Sequence, residues 1–153
     1  MGAAMFYHLT QRPMEETLTM LLERARGAGW RVVVRGQDAA RLAWLDERLW
    51  QGPEEGFLAH GLAGQPGEAD QPVLLTLPDQ PAANAPQCLM SIDGAPVSAE
   101  EVAAMERVCV LFDGNDDAAL EVARGQWKAL KAAGAAAQYW SEESGRWEKK
   151  AET

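Results

Sequence analysis

Residues 29–50 read GWRVVVRGQDAARLAWLDERLW. The run Trp30–Arg35 (WRVVVR) is rich in β-branched residues and bounded by Gly29 and Gly36. Such a run suits a strand covered on both faces, as in a buried parallel sheet. Asp38 can cap the segment after it, and Leu42, Leu45 and Leu49 share one face at helical spacing, so Asp38–Trp50 is a helix that Gly52 and Pro53 stop. Outward from this pair the same alternation continues. Met5–Leu9 reads as a strand, and Pro13–Ala28 as a helix with Leu18, Leu21, Leu22 and Ala25 on its apolar face, ending at Gly27 and Gly29. Val73–Leu77, Cys88–Ile92 and Val108–Phe112 are further strands. Ser98–Arg107 opens with a capping box, Ser98 followed three residues on by Glu101. Asp116–Ala133 is a long helix closed by Gly134, and Ala136–Trp140 with Arg146–Lys149 flank a Ser144-Gly145 turn as a C-terminal hairpin. Strands alternating with helices imply a three-layer α/β sandwich with a mostly parallel central sheet. The 153 residues suit one domain, 1–153. Gly52–Asp70 is the least regular stretch, too apolar for a linker and too glycine-rich for a helix.

Composition narrows the function classes. The formal net charge is −9, which disfavours a long phosphate track, because contacts to nucleic acid need Lys and Arg. Little direct nucleic-acid binding is expected, and partners should be proteins. The two cysteines, Cys88 and Cys109, lie in apolar runs without a CxxC spacing and read as buried thiols. The N-terminus lacks a basic start and a long apolar run, no stretch approaches the roughly 20 apolar residues that span a bilayer, and the expected compartment is the cytoplasm.

The strand ends carry no strong catalytic signature. Thr10-Gln11-Arg12-Pro13 follows the first strand and Gly36-Gln37-Asp38 the second, so neither GxGxxG nor GxxxxGK[ST] is present. The sandwich has a Rossmann-like layout without the nucleotide-binding glycine loop, and no cofactor is expected. His8 and His60 have no partner at metal-ligand spacing and read as structural, with no metal expected. Asp113–Asp117 (DGNDD) stands at a strand end, where α/β enzymes place carboxylates, and is the alternative reading: a nucleotide- or metal-dependent enzyme. The simpler reading makes Asp113-Gly114 a turn and puts Asp116 and Asp117 on a helix N-terminus.

The last long helix carries the sharpest signal. At about 100° per residue from Arg124, Trp127 falls near 300°, Lys128 near 40° and Lys131 near 340°. Ala118, Ala119, Val122, Ala129 and Ala133 fall opposite, so these small residues are expected on the sheet and the cationic, aromatic stripe in water. An exposed indole among cations suits an acidic, aromatic peptide. A few bases of single-stranded DNA would also suit it, though the global charge favours the peptide. A second surface is the run Trp44, Leu45, Leu49, Trp50, Pro53 and Phe57. Its two tryptophans lie about 240° apart on the helix, so both cannot point into the sheet. At least one, with Phe57, is expected in an apolar surface patch.

Four stretches, MFYHL (5–9), GWRVVVRGQD (29–38), LAWLDERLWQGPEEGFLAHGLAG (42–64) and VARGQWKALKAAG (122–134), together resemble the chi subunits of bacterial DNA polymerase III. The resemblance covers nearly the whole chain in order, apart from the loop around Pro78–Pro86 and the tail. It implies a Rossmann-like fold without bound nucleotide and a non-catalytic adaptor. Such proteins link the clamp-loader complex, usually through the psi subunit, to the acidic C-terminal tail of single-stranded DNA-binding protein, which ends in a Phe with a free carboxylate. Carried over by position, the tail would lie on Arg124, Trp127, Lys128 and Lys131, with Trp127 where the family often has Tyr and Lys131 where it often has Arg. That change removes a bidentate fork. Leu120 stands where some relatives have another cation, which shifts weight to apolar contact. Trp50, Pro53 and Phe57 match the region used for psi, or for a helicase that competes with it.

Overall fold

The structure is a computed structural model that describes residues 2–50 and 60–152. The elements in chain order are β1 (Ala3–Leu9), α1 (Met14–Gly27), β2 (Val32–Arg35), α2 (Ala39–Trp50), β3 (His60–Leu62), β4 (Val73–Thr76), β5 (Cys88–Ser91), α3 (Ala99–Ala104), β6 (Arg107–Asp113), α4 (Asp117–Ala132), β7 (Ala137–Ser141) and β8 (Glu148–Glu152). One short 3-10 turn covers Glu68–Asp70. The strands form one sheet in the order β3-β4-β2-β5-β6-β1-β7-β8. Every neighbouring pair is parallel except β7 with β8, the C-terminal hairpin. The expected mostly parallel α/β architecture is therefore the observed one.

Two cores sit on the two faces of the sheet. On one, Leu18, Leu21, Leu22, Leu42, Leu45 and Leu49 from α1 and α2 pack on Val32, Val34 and Met90. On the other, Val102, Ala123 and Leu130 from α3 and α4 pack on Phe6, Val33, Leu89 and Val110. β2, β4 and β5 are covered on both sides, which is why they read as continuous apolar runs. Cys88 and Cys109 are free and buried. No helix among the described residues is long and apolar enough to cross a membrane.

Both helix starts with an explicit capping residue form as expected. The Asp38 carboxylate accepts from Arg41 N at 3.2 Å at the start of α2, and both reciprocal bonds of the Ser98–Glu101 capping box form. Several boundaries differ, among them the start of β1 at Ala3 rather than Met5 and of β2 at Val32 rather than Trp30. α3 ends at Ala104 rather than Arg107, because Glu106 N and Arg107 N donate to Gln87 O as the chain enters the sheet. β8 lies later than the expected Arg146–Lys149. The irregular Gly52–Asp70 stretch contains an edge strand, β3, paired with β4. The expected stop of α2 at Gly52 and Pro53 lies outside the described residues.

α4 turns a flanking face to the sheet rather than the one its small residues suggested, while Arg124, Lys128 and Lys131 stay exposed as expected. Ala118, Val122, Ala129 and Ala133 are exposed, while Ala123 and Leu130 are buried and Leu120 and Trp127 pack against the core. The physical reason is area. Burying Leu, Trp and Leu removes far more apolar surface from water than burying a row made mostly of alanines.

Candidate peptide-binding site

This rotation of α4 places Trp127 at the seam between core and solvent instead of fully in water. Its indole is half-buried. It meets Phe6 of β1 edge to face at 5.3 Å between ring centroids, and Tyr139 of β7 at 6.0 Å and 87°. Phe6 and Tyr139 are register partners in adjacent parallel strands, which sets them side by side under the helix. Tyr139 in turn lies 5.9 Å from Phe112. Between α4 and the β7–β8 hairpin a groove of about 300 Å3 opens, floored by Phe112, Ala123 and Tyr139 and walled by Leu120, Trp127 and Ala151.

Two of the three cations expected on this helix line that groove. Arg124 and Lys128 sit on its rim. Arg124 is not idle: it donates to Glu121 Oε1 at 2.6 Å one turn earlier. Both partners are largely exposed, and a pair of that kind contributes little, so an incoming carboxylate can replace Glu121. Lys128 makes no ion pair with a described residue. Lys131 is exposed in the last turn of α4 and does not line the groove. Burial pushes the Tyr139 phenol above its ordinary range, the Glu143 charge adds to the rise, and the Arg124 cation opposes it. Tyr139 is therefore a neutral donor at physiological pH. Lys149 and Lys150 add little positive charge here, because they pair with Glu152 and Glu148 at 3.2 Å and 3.4 Å.

Chemically, the groove offers aromatic edges for one apolar side chain and two cations for flanking carboxylates. Sequence reasoning found Arg124, Trp127, Lys128 and Leu120. It did not find Phe112, Tyr139 and Ala151, which reach the site through strand register.

The other candidates are placed as follows. Trp50 at the end of α2 is 51% exposed, with its ring 4.3 Å from that of His60. Trp44 is partly buried, with the guanidinium groups of Arg41 and Arg48 over its ring at 4.3 Å and 5.1 Å. An apolar tryptophan thus does remain at this surface. Pro53 and Phe57, expected beside it, lie outside the described residues. In the DGNDD stretch, Asp116 caps α4 by accepting from Ala118 N and Ala119 N, and Asp113 accepts from Asn115 N at 2.9 Å. Both line a cleft of about 710 Å3 at the carboxyl ends of β1 and β6. Among the described residues, no three His, Cys, Asp or Glu side chains come together to hold a metal ion. His8 is buried and within 2.9 Å of Ser141 Oγ, and His60 is buried against Asp46.

The family model described as "DNA polymerase III chi subunit, HolC" matches residues 1–138. A curated relative, DNA polymerase III subunit chi of Escherichia coli (strain K12), is 30% identical over 107 residues, 70% of this chain and 71% of the relative.

Proposed function

Because this chain belongs to the DNA polymerase III chi subunit family, and so to the accessory subunits of a replication complex, we propose that the α4 groove captures the acidic C-terminal tail of single-stranded DNA-binding protein. The observation that carries this reading is the juxtaposition of Trp127, Tyr139 and Phe112 with Arg124 and Lys128 around one groove. The terminal Phe ring of the tail lies in the groove, against the sides of Trp127 and Tyr139 that face it and over Phe112. Its free carboxylate and the preceding acids pair with Lys128 and with Arg124 released from Glu121. Lys131 steers the tail from one turn away. On a chain of net charge −9, this local cationic rim raises the association rate, and burial of the ring sets the dissociation rate. A single tail should bind on the order of micromolar, with several tails on one oligomer adding avidity.

In the same reading the chain is a single chi-like domain without catalysis or cofactor, working in the cytoplasm. It joins the clamp-loader complex through psi, or a helicase that competes with psi, at the surface of Trp50, Pro53 and Phe57. The half-exposed Trp50 supports that assignment.

The test is calorimetric titration of a short acidic peptide ending in Phe-carboxylate into wild type and Lys128→Glu. Saturable micromolar binding that the variant loses supports the reading. Absence of binding to folded wild type removes it.

A further inference from the structure

The loop between β1 and α1 is where nucleotide-binding α/β proteins hold a phosphate, at the carboxyl end of the first strand and the start of the first helix. Here that loop is Thr10-Gln11-Arg12-Pro13, and its backbone is not empty-handed. The N–H groups of Thr10, Gln11 and Arg12 all donate to one oxygen, Oε1 of Glu142, at 3.0, 2.9 and 3.1 Å. Glu142 comes from the loop after β7, the neighbour of β1 in the sheet, and is 1% exposed. A carboxylate removed from water needs strong donors, and successive N–H groups converging on one oxygen form a nest that supplies them. α1 begins at Met14, after the N-cap residue Pro13, with no side-chain cap of its own, so the Glu142 charge also meets the positive end of that helix.

We propose that the Thr10–Arg12 backbone is an anion site whose resident ligand is the chain's own Glu142 carboxylate, so that the phosphate position of this architecture is filled from within. The large cleft beside it, bounded by Asp113 and Asp116, is thereby closed to phosphate groups by an internal anion. The same contact ties the β7–β8 hairpin to the β1–α1 loop. A second tie runs parallel to it, from His8 Nδ1 to Ser141 Oγ at 2.9 Å. These two contacts fix the strand that carries Tyr139. The inference does not depend on which partner the α4 groove binds.

The test uses inorganic phosphate as the probe, with sodium chloride matched for ionic strength as the control. Wild type should show no phosphate-specific change in melting temperature. Glu142→Gly should melt lower and be raised by phosphate by about 2–4 °C over the chloride control. A folded Glu142→Gly that phosphate does not stabilise overturns the proposal, as does phosphate stabilisation of wild type. Should Glu142→Gly fail to fold, Glu142→Gln decides. Its neutral amide keeps an acceptor, so the fold should persist while the amide proton resonances of Thr10, Gln11 and Arg12 move upfield together. Unmoved resonances contradict a charged resident ligand.

Discussion

The indole of Trp127 meets the ring of Phe6 edge to face, with centroids 5.3 Å apart and planes at 79°. One side chain is thus both the roof of a core and the wall of a groove. Trp127→Ala should therefore lower stability by about 2–3 kcal/mol, below the full cost for a wholly buried Trp. Chemical denaturation measures it. A loss under about 0.5 kcal/mol would show the indole to be a surface group.

The two lysines of α4 should separate in binding. Lys128 lines the groove and Lys131 does not. Lys128→Ala should weaken an acidic Phe-ended peptide by about 3–10-fold, and Lys131→Ala by less than about 2-fold with the change confined to the association rate. Surface plasmon resonance reads both. Equal losses would move the carboxylate site toward the helix C-terminus.

Gly114 is held small by His8. A Cβ at Gly114 would clash with His8 Nε2, while Gly114 N donates to Leu9 O at 2.7 Å. Gly114→Ala must displace the buried imidazole or break that backbone bond, at a cost of about 1–3 kcal/mol. Thermal denaturation tests this, and an unchanged melting temperature would contradict the packing. Gly125 is the control: it is exposed on α4, and a Cβ added there would meet nothing within 4 Å. Gly125→Ala should stabilise by about 0.5–1 kcal/mol.

Arg35 and Glu101 make a two-pronged pair, Nη1 to Oε1 at 3.0 Å and Nη2 to Oε2 at 2.6 Å. Burial alone would raise the Glu101 pKa, but the Arg35 hydrogen bond and charge, with Ser98, hold it below the ordinary carboxylate range. The folded pKa is depressed, so the contribution is full above the unfolded value of 4.5 and disappears as pH falls through the lower folded value. Glu101→Gln should destabilise by about 1–2 kcal/mol at neutral pH, and the gap to wild type should close toward acid. A gap independent of pH would contradict a charge-based role for the pair.

Much of the fold is legible in the sequence because periodicity carries it. WRVVVR is typical of a buried parallel strand and its Val32–Arg35 part forms one, and Leu42, Leu45 and Leu49 do pack where their spacing places them. β3 is not legible, because His60-Gly61-Leu62 is three residues of a glycine-rich stretch whose pairing to β4 is decided by the sheet. The face of α4 is misjudged because a wheel that seats alanines inward ignores how much more area Leu120, Trp127 and Leu130 can bury. Arg124, Trp127 and Lys128 are local to one helix and can be found there. Glu142 acts through contacts more than a hundred residues away along the chain, and Tyr139 is set beneath α4 by its pairing with Phe6 at a similar separation, which no local pattern reports.

The central claim is that the groove between α4 and the C-terminal hairpin is where the acidic tail binds. Amide and indole resonance mapping, with the Phe-ended acidic peptide titrated into the labelled chain, tests it most directly. Binding in this groove predicts saturable shifts concentrated at Phe112, Leu120, Arg124, Trp127, Lys128, Tyr139 and Ala151, reduced by added salt. Shifts centred on Trp50 or Trp30 instead, or none at millimolar peptide, would contradict it.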